Sequence, residues 1–596
     1  MLTIVVPLGG CLLIPILGRI NERLMKWYSV AVAFVTAGLT VSLIRQAGGE
    51  EIAALYWIPG VDATFGLQLT GIGMFVAAVA GCIGSLAVLY SIKYMEELEE
   101  EYGPTRYYFL TILFIGSMIA LALADSFLTL YIFWEIIGFC SFALIAYEYH
   151  KSKAREAGAK AFIVTRFGDI GLLVGVAILW SVMRDLGAED PFSIKATIEA
   201  AVAGQIPMHL LAIAGGGFIA AAAGKSAQFP LHVWLPDAME APTTISALIH
   251  AATLVNAGIY LAVRTLPMFS LIAWWLPTLA WIGAISALLT AVLALFEKDL
   301  KRVLAFSTIS QLGYMMAGVG AASVFASQFH LLNHAIFKAL LFLCAGSVIH
   351  AAHTRNMYEM GGLKRSMPIT HITFLIGTLA LAGVPLLNGF FSKDAILEAL
   401  LHQGMIGPLV ILLITTILTA IYSWRMYWLT FQAEPRTEVE PHESPWQMTV
   451  PLMALGLGAV FSWFYVGGYT TKLGLQLPYH EVGIMELGEL WHHTLYGAGH
   501  GLNAMLLVGA GVVAIIIVLA LRWSRHGAPV PEGPRMWADL VTDTKGFMDW
   551  FWGFWYVLMR AVASVLSLFQ TGDLNNNSLW LAIGFIAVLL MFLGWG

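Results

Sequence analysis

Apolar stretches of about 20 residues recur along the whole chain, each long enough to cross a ~30 Å hydrocarbon core as a helix. In lipid every backbone N–H and C=O must find its partner inside the protein, so a chain of this pattern has to become a bundle of spanning helices. The stretches predict about sixteen spans, at 2–19, 28–45, 71–92, 107–123, 127–147, 161–183, 208–240, 244–264, 273–295, 303–322, 325–349, 370–400, 406–430, 448–467, 502–522 and 578–595. With 59% hydrophobic and 11% charged residues, a water-soluble globule is excluded and an all-α polytopic membrane protein is expected. Residues 1–20 begin without a basic region and lack a small-residue cleavage site, so they are predicted as the first span rather than a signal peptide. The net charge of −6 and the lack of a basic tract argue against a nucleic-acid partner.

Two of these stretches, the seventh and the twelfth, are too long for simple helices and contain proline among small residues. They are expected to be broken helices, tolerated where the freed backbone faces protein or a wet cavity. Alternating the spans from an outside N-terminus puts most of the 31 Lys and Arg residues on the inside, including those of 150–166, 297–302 and 364–365. The outside loops receive Arg45, Arg184, Lys195, Arg264 and Lys472. This satisfies the positive-inside rule and predicts both termini on the outer side of a cytoplasmic membrane. The segment 535–569 is amphipathic at first and then rich in Trp, Phe and Tyr, with both ends on the inside. A helix lying along the membrane surface and touching lipid fits it; a seventeenth span, which would invert the C-terminus, is the alternative.

Three lysines remain inside apolar spans: Lys225, Lys338 and Lys393. An amine at that depth costs about 2.5–3.5 kcal/mol on insertion scales and marks a functional site. Glu135 is an isolated carboxylate in the middle of its span, while Asp169 lies nearer the inside end, where reaching water is easier. His330, His334 and Lys338 follow at i, i+4 and i+8, a one-faced ladder roughly 12 Å long. Two histidines at this spacing could hold a metal, but neither a carboxylate nor a cysteine accompanies them, and imidazole is better suited to relaying protons. His250 is a further candidate for that relay. Asp394 adjoins Lys393 but points to a different helix face. The outer-loop histidines His480, His492, His493 and His500 are read as solvated. Cys11, Cys82, Cys140 and Cys344 lie far apart in apolar segments, without the spacing of an iron–sulfur or zinc site. A carboxylate–ammonium pair is worth about 4 kcal/mol at 4 Å and about 1.7 at 10 Å in an effective dielectric near 20. Opening such a pair therefore changes the energy by about as much as moving one proton against 100 mV, ~2.3 kcal/mol.

The motifs GKSAQFPLHVWLPDAMEAPTTISALIHAATLVNAGIYLAVR, KAFIVTRFGD, AFSTISQLGYM, HAIFKALLFLCAGSVIH and GFFSKDAIL closely resemble the antiporter-like subunits of respiratory complex I. The surface helix before the last span is similar to that of the distal, lateral-helix-bearing (NuoL-type) member. The resemblance implies two inverted five-helix repeats, here 107–264 and 273–430. Around them lie helices at 1–95 and 448–522, a lateral helix at 535–569 and an anchoring helix at 578–596. It implies that Glu135 and Lys225 form the switching pair of an inward half-channel, with Asp169 as an accessory acid. His250, His330, His334 and Lys338 would form a central relay, and Lys393 with Asp394 the outward exit. The expected role is proton translocation in an NADH:quinone oxidoreductase-type translocase, with no redox chemistry in this chain. Flavin, iron–sulfur clusters and quinone would belong to partner subunits, and the lateral helix would contact neighbouring antiporter-like subunits. Stretch QTGDLNNN also fits relatives that use reduced ferredoxin, F420H2 or a hydrogenase module. An Mrp-type cation/proton antiporter subunit is the runner-up, disfavoured because no large membrane extension follows the sixteenth span. A pure scaffold would leave the buried amines without a use.

Overall fold

Helix boundaries follow local chemistry. The computed structural model describes residues 1–44, 51–58, 63–436, 440–465 and 501–526, all within one contact unit, Met1–Pro529. Helices α1 (Leu2–Ile20) and α2 (Glu22–Leu43) are separated by Asn21, whose side chain accepts from Leu24 N and caps α2. A hairpin of antiparallel strands β1 (Glu51–Ile58) and β2 (Ala63–Gln68) follows. Then come α3 (Gly71–Tyr94), short α4 (Glu96–Tyr102), α5 (Pro104–Ala122), α6 (Phe127–Ile145), α7 (Ser152–Asp185), short α8 (Ile194–Val202) and α9 (Met208–Lys225). Helix α10 covers Thr243–Phe269. Helices α11 (Trp275–Phe296), α12 (Leu300–Gly320), α13 (Val324–Ala352), α14 (Pro368–Ala382) and α15 (Asn388–His402) continue the bundle. Helices α16 (Ile406–Gln432), α17 (Trp446–Phe464) and α18 (Gly501–His526) complete the described chain. Thirteen of the described helices are long and apolar enough to cross a membrane.

Burial sorts these helices into layers. The spanning windows of α10 and α12 are wholly buried, whereas only 33% of that of α1 is. The outer helices turn Leu12, Leu13, Ile16, Trp281 and Ile285 outward, the apolar coat that a bilayer requires. Buried titratable side chains lie on α7, α9, α10, α12, α13 and α15: Asp169, Lys225, His250, Lys301, His330, His334, Lys338, Lys393 and Asp394.

Four expectations need correction. The chain is not purely α-helical, because β1 and β2 form a hairpin. The second half of the seventh span is not a membrane helix: after Lys225 the chain runs through turns to a single 3-10 turn at Asp237–Glu240. Pro230, Pro236 and Pro242 remove helix donors at close spacing, and Trp234 Nε1 folds back onto Gly224 O at 3.0 Å. The span expected at 244–264 contains a π turn, Leu248–Ala252, where Thr253 Oγ1 donates to Leu248 O and Asn256 Nδ2 to Ala251 O, both at 2.8 Å. These side-chain bonds take carbonyls that a regular helix would give to backbone amides. Finally, α7 has 34 residues and begins at Ser152, so residues counted as inside loop belong to a helix roughly 50 Å long.

The twelfth span is broken as expected, between α14 and α15, with Gly383 left-handed (φ 84°) at the end of α14. The predicted lateral helix at 535–569, the last span at 578–595 and the loop histidines 480, 492, 493 and 500 lie outside the described residues.

Candidate functional site

Four charged side chains of alternating sign form one line through α6, α7 and α9. Lys225, the last residue of α9, is fully buried and its Nζ donates to Asp169 Oδ2 at 3.1 Å. The other oxygen of Asp169 accepts from Trp134 Nε1 at 2.5 Å, and the Lys225 amine lies 5.5 Å from the centre of the Trp134 ring. Arg166 stands one turn before Asp169, 3.9 Å from its Oδ2, and makes an ion pair with Glu135. The inner pair is 0% and 2% exposed and the outer pair 30% and 20%, although both carboxylate oxygens of Glu135 are themselves buried. Alternating charges keep the line neutral, which lowers the cost of burying it.

The expected Glu135–Lys225 pair is not formed here: Asp169 holds the lysine and Arg166 holds the glutamate. Packing decides this. Helix α7 lies so close to α9 that a methyl at Gly168 would come within 2.6 Å of Ala220 O, which carries Asp169 against Lys225. Asp169 is buried and does not reach the surface as the sequence suggested. Arg166 was assigned to an inside loop; its one signal was the i, i+3 spacing from Asp169, which places both on one helix face.

A second constraint is steric. A Cβ at Gly138, one turn beyond Glu135, would lie 2.8 Å from Lys225 Nζ. Gly138→Ala is therefore expected to displace the amine without disturbing the backbone, because the far end of a lysine can move. Donor-driven proton uptake by reconstituted vesicles should fall about tenfold at unchanged assembly, since loss of a close buried charge contact has that order of effect. Uptake at the parental rate would show that the amine needs no fixed position.

The middle of the bundle holds the other candidates. His250 sits in the π turn of α10, its ring 5.5 Å from that of Phe342, and His334 lies 6.3 Å from His330, ring centre to ring centre. All three are fully buried. Among the described residues, neither ring nitrogen of His250 or His334 has a hydrogen-bond partner. Such groups in a polar interior are where internal water binds. His330 is tied at both nitrogens, to Ser392 Oγ at 2.9 Å and Gln311 Oε1 at 3.1 Å. Lys338 donates to Ser307 Oγ and to Leu304 O, the latter at 3.3 Å. The predicted ladder on α13 is thus present, and α12 supplies Ser307 and Gln311, which the sequence did not single out. At the second break Lys393 donates to Leu381 O at 2.6 Å and faces the Tyr314 ring at 5.6 Å. That carbonyl is free to accept because the break ends α14 just beyond it. Asp394 is buried and does not pair with its neighbour, as its place on another face implied; its Oδ2 has no hydrogen-bond partner among the described residues.

One further buried amine was missed. Lys301 opens α12 and donates to Ala241 O at 2.5 Å, at the end of the irregular segment that follows Lys225. Asp237 of that segment pairs with Lys160 of α7 at 2.7 Å and with Arg302 of α12 at 3.7 Å. Arg355 bridges Glu240 and Asp299, at 3.4 and 2.8 Å. The segment is therefore clamped to α7 and α12. No group of three or more His, Cys, Asp or Glu residues arranged to hold a metal occurs among the described residues.

Residues 124–419 match the family described as NADH:quinone oxidoreductase/Mrp antiporter, transmembrane region, and residues 57–108 match the N-terminal region of chain 5 of NADH-ubiquinone oxidoreductase (complex I). The chain is 40% identical over 462 residues to F(420)H(2) dehydrogenase subunit L of Methanosarcina mazei, covering 72% of this chain and 68% of that protein. It is 39% identical over 554 residues to NADH-quinone oxidoreductase subunit L of Mycobacterium tuberculosis, covering 89% and 83%. A chain of the Mrp complex from Dietzia sp. DQ12-45-1b superimposes with a TM-score of 0.78 at 26% identity, covering all of this chain and 63% of that one. The buried charge line, the central histidines and the second break thus lie within the matched region, and the chain belongs to the family of antiporter-like membrane subunits shared by complex I-type oxidoreductases and Mrp antiporters.

Proposed function

We propose that this chain is the proton-translocating subunit of a complex I-type redox assembly. The observation that carries the proposal is the buried Lys225–Asp169 pair continued by Arg166–Glu135. Lys225 can exchange its partner or give up its proton only if the line rearranges, and Arg166 is the cation that can follow the carboxylates. In the closed state Glu135 pairs with Arg166. Transfer of a proton to Glu135 from the inside frees Arg166 toward Asp169, which loosens Lys225 and pushes its proton toward His250. From there Lys338, His334 and His330, in that order along α13, pass the charge to Lys393 and Asp394 at the second break, which opens outward. The unpartnered nitrogens of His250 and His334 and the amphoteric chemistry of imidazole support this order.

The wider architecture belongs to the same proposal: sixteen spans, two inverted five-helix units at 107–264 and 273–430, a lateral helix at 535–569, and both termini on the outer side of the cytoplasmic membrane. The asymmetry of Lys and Arg between alternate loops supports the orientation. Flavin, iron–sulfur clusters and quinone would reside in partner subunits, so this chain takes part in an oxidoreductase without redox chemistry of its own. The relatives named as subunits of F420H2 and NADH-quinone enzymes support membership in such an assembly and leave the donor to experiment.

Affinity purification through this chain is expected to bring down hydrophilic redox subunits and at least one more antiporter-like subunit. Sealed vesicles holding the assembly should acidify when the matching donor is added. Deleting 535–569 should release neighbouring membrane subunits on native gels. Purification without any redox partner, with Na+-dependent proton exchange in its place, would favour the Mrp-type reading.

A further inference from the structure

Beyond His250, helix α10 carries a second row of buried polar residues: Thr253, Asn256, Tyr260 and Arg264. The last three are spaced i, i+4 and i+8, so they share one face and climb about 12 Å away from the central histidines. Asn256 Oδ1 has no hydrogen-bond partner among the described residues. Tyr260 Oη donates to Ala122 O at 2.7 Å. Arg264 is only 8% exposed although its position in sequence suggested an outer loop. Its Nη1 donates to Thr70 Oγ1 at 2.7 Å and its Nη2 to Gln68 Oε1. Both acceptors are neutral, so the hydrogen bonds fix the guanidinium in place and leave its charge intact. Gln68 ends β2 and Thr70 caps α3, and the hairpin is itself anchored, with Gly66 N on Asp125 Oδ1 at 3.2 Å and Thr64 Oγ1 on Asp190 Oδ2 at 2.5 Å.

A polar row leading from His250 toward the hairpin end of the bundle is a short cut: a proton on it would bypass the second break. We propose that Arg264 is an electrostatic stopper, a fixed cation that closes this row and sends the proton across to Lys393 instead. A guanidinium has five donors and no acceptor, so it cannot relay a proton, and its charge repels one arriving from His250 in a low-dielectric surround. The inference rests on the translocation reading above and adds the residue that makes the path directional.

The test uses the purified assembly containing the full chain, reconstituted in proteoliposomes with a trapped pH-sensitive dye. A potassium–valinomycin diffusion potential is applied without electron donor. Arg264→Gln is expected to raise passive proton flux at least about tenfold, as removal of a pore-blocking charge does. Arg264→Lys, which keeps the charge, and Gln68→Leu, which keeps the guanidinium but removes one acceptor, should stay near the parental rate. Arg264→Met carries the same expectation if the glutamine variant does not assemble. Parental tightness in Arg264→Gln and Arg264→Met overturns the stopper. Equal leak in Gln68→Leu also overturns it, because Arg264 would then be only a pin for the hairpin. A leak that persists in Arg264→Gln combined with Lys225→Ala supports the stopper and removes Lys225 from the route that feeds it. Failure of the translocation reading has its own signature: donor-driven acidification unchanged by Lys225→Ala.

Discussion

Lys225→Ala is expected to abolish donor-driven proton pumping while the assembly still forms. The amine is the last residue of α9, fully buried and 3.1 Å from Asp169 Oδ2. Removing one member of a buried pair normally destabilises by about 3–5 kcal/mol because the other charge is left alone. Asp169 is not left alone here, since Trp134 Nε1 still donates to it and Arg166 stands 3.9 Å away. The fold should therefore survive while the buried amine placed between Glu135 and His250 on the proposed path is lost. Vesicle acidification should fall below about 5% of the parental rate, as expected when a charge-transferring group is deleted outright. Electron transfer through the partner subunits is expected to slow or uncouple, depending on how tightly the two are linked. Assembled vesicles that pump normally would remove Lys225 from the mechanism.

The second large effect is expected at Lys338, and a pair of variants separates its possible roles. Its Nζ is buried among neutral acceptors, Ser307 Oγ and Leu304 O, with His334 one turn earlier on α13. Lys338→Ala should stop pumping by breaking the relay between His250 and His334. Lys338→Arg keeps the charge and the donors but cannot release a proton at any physiological pH. It is expected to pump at under about a tenth of the parental rate, which is how a relay differs from a fixed counter-charge. Recovery of pumping in the arginine variant would mean that Lys338 only sets the local field. A stability screen by thermal unfolding in detergent should find the arginine variant close to the parent, because both acceptors remain in reach.

Much of the site was legible in the sequence, but as a set of residues rather than an arrangement. Glu135, Lys225, Lys338 and Lys393 stood out because each breaks an apolar run, and the histidines because their i, i+4 spacing survives in a regular α13. Arg166 escaped because, although it falls inside the predicted span 161–183, it continues a basic stretch that was counted with the inside loop. Lys301 escaped for the same reason, beside Lys298 and Arg302. Arg264 was placed in a loop because it sits near the end of its apolar run, where composition cannot separate a snorkelling arginine from a buried one. The hairpin was missed because residues 51–68 are short of the periodicity that would compete with the spans around them.

The sequence by itself determined that this chain enters a membrane, that apolar stretches of spanning length recur along it, where proline interrupts two of them, and that Glu135, Lys225, Lys338 and Lys393 stand inside apolar runs. These are local properties, set by the cost of bare backbone and bare charge in hydrocarbon over about 20 residues at a time. Only the tertiary structure decided which trapped charges meet. The exchange of partners, Asp169 with Lys225 and Arg166 with Glu135, follows from how closely α7 lies on α9. The seat of Arg264 follows from a strand end and a helix cap nearly 200 residues away in sequence. Charge pairing depends on distances of a few ångströms between helices, and no spacing within a single helix encodes them.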